Sequence, residues 1–174
     1  MHMKYWVGVI LNLCLWQSTW AQTNPPLQCE SDEYSTYLVP SLENGFVLLD
    51  ANKEVFQRLM KQYQYQEFYR GNEMEYLAPT SRVNQMRLIR KENTQVQFLL
   101  SPTKLMVIRQ LEQDIAARKP IVSKDSNGMT WYHINYPTHQ SSQVLRIGIK
   151  LESDSEDRVG RTWTIWSSTI IFSH

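Results

Sequence analysis

Cys29, His133 and the acidic run Glu152-Ser153-Asp154-Ser155-Glu156-Asp157 are the residues of this chain whose types could do chemistry. A thiol becomes a nucleophile when a base sits within hydrogen-bond reach, and Cys29 with His133 supplies that minimum. No motif surrounds either residue, and any chain with one Cys and one His offers such a pair, so no catalytic residue is assigned. His139 and His174 stand at no metal-ligand spacing from Cys, Asp or Glu. The acidic run has oxygen donors for calcium, yet an EF-hand loop requires a Gly at its sixth position and a Glu at its twelfth, and neither is in register. It reads as a solvated hairpin loop. Gly-rich phosphate loops and Gly-X-Ser-X-Gly elbows are missing as well. No cofactor and no metal follow from these residues, and binding is a better reading than catalysis.

A different kind of candidate lies in MTWYHINYP, residues 129–137, directly after an Asn-Gly pair. As a strand it alternates, with Tyr132, Ile134 and Tyr136 on the face expected to point inward and Trp131, His133 and Asn135 on the other. QVLRIGIKLES alternates more cleanly still, with Leu145, Ile147, Ile149 and Leu151 on one face and Val144, Arg146, Gly148 and Lys150 on the opposite one. In RTWTIWSSTIIFS the apolar residues change parity between Ile165 and Ile170, and a bulge at Ser167-Ser168 would reconcile them and turn Trp166 outward. The expected result is an open face bearing Trp131, His133, Asn135, Arg146, Lys150 and Trp166. Large aromatics beside Arg with a polar rim are the composition of protein-binding hot spots. The competing expectation is that another layer, such as the first helix, covers this face and makes both tryptophans core.

The elements that must position these residues are legible to different degrees. YLVPSL and FVLLD flank Glu43-Asn44-Gly45, and Asn-Gly between apolar runs predicts a hairpin, with Pro40 confining the first run to a sheet edge. Asn52 predicts an N-cap for a helix carrying Val55, Phe56, Leu59, Met60 and Tyr63, ending near Arg70 before Gly71-Asn72. VNQMRLIRK and QVQFLLS predict a hairpin around Glu92-Asn93-Thr94, with Val96, Phe98 and Leu100 buried. Ser101-Pro102 predicts the start of a helix running to about Arg118, with Leu105, Ile108, Leu111 and Ile115 as its buried stripe. A four-strand meander follows, from IVSK to the C-terminus.

The N-terminus reads as a secretory leader: one cation, Lys4, then an apolar run from Tyr5 to Trp16, then a cut site after Ala21. That run is shorter than the roughly 20 residues of a membrane span. Residues 1–21 are expected to be a signal peptide, 22–36 a flexible polar leader, and 37–174 a single domain. The chain has 18 Lys and Arg against 17 Asp and Glu, and loss of Lys4 leaves the two balanced at 17. A balanced charge gives no support to a nucleic-acid partner. Of two cysteines only Cys29 lies outside the leader, so no disulfide framework is expected. With no Asn-X-Ser/Thr sequon, these features favour a bacterial periplasmic or extracellular protein without a stable membrane span.

The fold class expected from this order is α+β, a curved antiparallel sheet packed on one or two helices. The same element order occurs in cystatin-like, hotdog-like and NTF2-like folds, an analogy that carries no function. The function expected is non-catalytic binding of another macromolecule in the cell envelope, as an inhibitor, an immunity protein or a component of an export or assembly apparatus. The alternative is a small-ligand carrier or hydrolase with a pocket between sheet and second helix, lined by Tyr132 and Tyr136.

Overall fold

The computed structural model describes residues 26–31, 36–71, 73–79, 85–92, 94–137, 142–158 and 161–174. The expected signal peptide lies outside them. The fold is α+β, and the described residues form three helices, a two-stranded sheet and an open, fully antiparallel eight-stranded sheet. A short hairpin of β1 (Cys29–Ser31) and β2 (Thr36–Leu38) leads into α1 (Leu42–Asp50) and α2 (Lys53–Gln62). Strands β3 (Gln66–Arg70), β4 (Glu73–Leu77), β5 (Gln85–Lys91) and β6 (Gln95–Ser101) follow as one meander. Helix α3 (Leu105–Ala116) then crosses to the far edge, where β7 (Ile121–Lys124), β8 (Thr130–Pro137), β9 (Ser142–Arg158) and β10 (Arg161–Ser173) meander back. The order across the sheet is β3-β4-β5-β6-β10-β9-β8-β7, so the last strand closes onto β6 at the centre.

Three local expectations are corrected. The segment read as a hairpin around Asn44-Gly45 is helix α1, because tertiary contacts outweigh the local turn signal. Ser41 is its N-cap, its side chain accepting from the Asn44 backbone N–H. The Asn44 amide is fully engaged, donating to the carbonyls of Gln28 and Val39 at 2.7 Å each and accepting from the Gln28 N–H at 2.9 Å. Gly45 is required by closeness, since a Cβ there would lie 2.3 Å from the Phe172 ring. The second helix begins at Asn52, whose side chain accepts from the Val55 N–H at 2.8 Å, but stops at Gln62. Gly71, at φ +63°, therefore follows strand β3 and marks a hairpin turn instead of a helix end. Finally, β6 runs through Ser101, and α3 starts at Leu105 without a side-chain cap.

Part of the segment expected to be a flexible leader is packed: Leu27 is buried, and Cys29 to Ser31 pair with β2. The main core lies between the sheet and the three helices. Ile108, Leu111 and Ile115 of α3 are buried in it together with Ile134, Leu145, Ile147 and Ile149, as the alternation of β8 and β9 requires. Phe98 and Phe172 meet edge-on at 5.7 Å, and Phe56 meets Tyr76 in the same way at 5.3 Å. Two buried apolar residues, Ile89 and Met129, stand outside this cluster. By register both belong to the opposite side of the sheet.

Candidate functional site

Strand register settles which side chains share that opposite side. Trp131 pairs with Gly148, His133 with Arg146 and Asn135 with Val144 across β8 and β9, while Tyr132 pairs with Ile147 and Ile134 with Leu145. Directly opposed residues project to the same face. Trp131, His133, Asn135, Arg146 and Lys150 therefore share a face away from the helix-side core. On the core side, Tyr132 is half-buried and donates its hydroxyl to Glu112 of α3 at 3.3 Å, and burial pushes its phenol above the usual value, with Glu112 adding to the rise.

Trp166 does not join that face. β10 pairs with β9 without interruption from Arg161 opposite Arg158 to Ser173 opposite Arg146, so the bulge expected at Ser167-Ser168 does not form. Trp166 pairs with Ser153, in phase with Ser168 opposite Leu151 and Ile170 opposite Ile149, which places it on the helix side. There its carbonyl accepts from the Thr103 N–H at 2.6 Å, and the Thr103 hydroxyl bonds Ser168 at 2.8 Å.

The geometry around Trp131 is built by the turn before it. Asp125 accepts from the backbone N–H groups of Asn127 and Met129 at 2.9 and 3.0 Å, closing the β7–β8 turn with Gly128 at φ +80°. Its other carboxylate oxygen accepts from the Trp131 indole N–H at 3.1 Å. That hydrogen bond is the first cause holding the Asp125 carboxyl below the usual carboxylate value, with the two backbone donors assisting. Tethered at one edge, the indole lies across Gly148: a Cβ at that position would stand 2.9 Å from the ring and 2.6 Å from the Met129 sulfur. An aromatic laid over a cross-strand glycine restores the packing that the glycine forgoes. The Arg146 guanidinium stacks on the same ring, its carbon 4.8 Å from the ring centroid.

Around this stack the face is open. Trp131 and His133 are half-buried, and Asn135 and Arg146 are exposed. Ile121 is 75% exposed and Val144 51%, a high value for apolar side chains on a sheet. Lys150 pairs with Glu152 at 2.7 Å, whereas Arg146 has no ion pair among the described residues. At the far end of the same face, buried Glu75 is paired with Arg87 at 3.0 Å. Sequence reasoning singles out neither that pair nor Asp125; the Asp125-Ser-Asn-Gly turn is visible in the sequence, but not that its carboxylate reaches a ring six positions on.

The acidic run is also placed differently from expectation. It belongs to β9, where residues 152–158 pair with residues 161–167 of β10 and, among the described residues, with no other strand, forming a two-stranded arm past the end of the flanking strands. Cys29 and His133 are not brought together, since Cys29 sits in the small hairpin and His133 on the open face. Burial raises the Cys29 thiol above its usual value, which disfavours the nucleophilic thiolate. Where the alternative reading puts a pocket, α3 and the sheet are closed by Ile108, Leu111 and Ile115, and the Tyr136 side chain lies outside the described residues. A cleft of about 640 Å³ lies instead between α3 and the β1–β2 hairpin, lined by Val39, Pro40, Leu105, Val107 and Leu111, with Lys104 paired to Glu30 at its rim. Among the described residues no helix is long and apolar enough to cross a membrane. In comparisons with known proteins, no family model, curated protein or solved structure matches this chain.

Proposed function

We propose that this is an exported, non-catalytic binding protein that engages a protein partner in the cell envelope through the open face of its C-terminal meander. One observation carries the reading. The three helices among the described residues pack on one side of the sheet, and the opposite side, at its β7–β9 end, holds a preorganised Trp131–Arg146 stack beside exposed Ile121 and Val144. A rigid aromatic loses little conformational freedom on binding, and Arg146 keeps its donors available for a carboxylate, so an acidic protein surface suits it. Asn135, His133 and Lys150 form the polar surround. Export rests on the leader-like N-terminal sequence, and with it the periplasmic or extracellular setting.

The test is affinity for a partner recovered by cross-linking in the native envelope. Trp131→Ala should weaken binding by about 2 kcal/mol or more, while Trp166→Ala, on the other side of the sheet, should leave this contact intact. Equal loss from both substitutions, or loss from Trp166→Ala alone, would remove the open face from the interaction. Ligand carriage is the second reading, favoured by the cleft beside α3, and it requires that Leu105→Arg abolish ligand uptake with the open face untouched.

A further inference from the structure

We infer that the protein that covers this face is a second copy of the chain, with the two β9–β10 arms exchanged across a two-fold axis near Lys150. The inference rests on the open-face reading above and specifies its partner. Its basis is the order of charge along one face of one strand. Reading every second residue of β9, that face carries Arg146, Gly148, Lys150, Glu152 and Asp154, two cations followed by two anions. Reversed about Lys150, that row sets the cation at one end against the anion at the other. Two β9 strands laid face to face and antiparallel about position 150 bring Arg146 of each copy opposite Asp154 of the other, about 27 Å along the strand at roughly 3.4 Å per residue. The two Lys150 side chains face one another at the axis, each held at 2.7 Å by Glu152 of its own strand, which offsets their repulsion.

Two further observations fit the same operation. Beyond Leu151, β9 is paired with β10 and with no other strand among the described residues, and a two-stranded ribbon gains from a further surface to pack on. Its length also matches what it would cover, since β9 pairs with β8 over residues 142–149 and forms the arm over residues 152–158. Each arm would therefore lie over the body of the other copy, against Val144, Arg146 and the Trp131 ring that covers Gly148, where Val144 is exposed. Ile165 and Ile171 of β10, both partly exposed and in phase with the charged row, supply apolar area beside it.

The experiment is sedimentation equilibrium of the purified protein and of two charge-reversed variants, Arg146→Glu and Asp154→Arg, alone and mixed. The wild type should dimerise, with an affinity that falls as salt rises. Each variant alone sets like charges opposite one another at two symmetric places and should weaken dimerisation at least about tenfold. Mixing the two should restore it: at one contact the introduced carboxylate of the first variant meets the introduced guanidinium of the second, and at the other the native Arg146 still meets the native Asp154. Asp154 lies on the exposed arm, so its variant keeps the test valid even if Arg146→Glu disturbs the Trp131 stack. A wild-type protein monomeric at all concentrations would overturn the dimer and leave the open face available to a different protein. A dimer indifferent to both reversals, or one that mixing fails to restore, would place the contact elsewhere.

Discussion

Replacing Gly148 by alanine tests whether the Trp131 platform is built as described. In an unencumbered strand the change should stabilise by about 0.4–1 kcal/mol, because alanine gives up less chain entropy on folding. Here the new Cβ would stand 2.6 Å from the Met129 sulfur and 2.9 and 3.0 Å from two carbons of the Trp131 ring. The methionine can swing aside, but the indole is rigid and tied at its N–H to Asp125. It has to tilt, lifting off β9 and loosening the Arg146 stack. Overpacking of this kind costs about 1–3 kcal/mol, so after the entropic gain the substitution should destabilise by about 1–2 kcal/mol. Urea unfolding gives the stability, and the Trp131 indole N–H resonance, assigned with Trp131→Phe, reports the hydrogen bond. Higher stability with an unmoved indole resonance would refute the placement of the ring.

Other substitutions probe the remaining layers. Gly45→Ala should destabilise by about 1–3 kcal/mol in thermal unfolding despite the better helix propensity of alanine, because its Cβ would fall 2.3 Å from the ring of fully buried Phe172. Leu111→Ala should cost about 2–5 kcal/mol in a denaturant titration, Leu111 being buried with Ile147 under the centre of the sheet. Asp125 has its folded-state pKa lowered, so its stabilising effect is present above the unfolded-state value and is lost as pH falls through the folded one. Asp125→Asn should accordingly flatten the acid limb of the stability profile and shift the Trp131 indole resonance at neutral pH.

The sequence is most legible where one face of an element is buried along its whole length. Leu145, Ile147 and Ile149 alternate without a break, and the α3 stripe of Ile108, Leu111 and Ile115 keeps its spacing, so the meander, its partner helix and the face carrying Trp131, His133, Asn135, Arg146 and Lys150 can be read directly. Alternation fails at Trp166 for a physical reason. Its segment extends past Leu151 to where, among the described residues, β9 pairs with β10 and no other strand, so apolar residues there alternate between the two sides and the parity change imitates a bulge. Asn44-Gly45 misleads because both residues answer to partners far away in sequence, Asn44 to Gln28 and Gly45 to Phe172. Ser101-Pro102 misleads because Ser101 still belongs to the sheet, and it is Thr103 that bonds back to Leu100 and across to Ser168. The tether from Asp125 to Trp131 depends on where the turn sends a side chain, which composition and spacing do not specify.

Site-specific photo-cross-linking in the native host tests the open face most directly. A photoreactive residue placed at Asn135 or Val144, both exposed on the side of the sheet opposite the helices, should cross-link to protein. The same residue placed at Arg109 or Gln113, exposed on α3, should not. Cross-links from the two helix positions, with none from Asn135 or Val144, would contradict binding through this face.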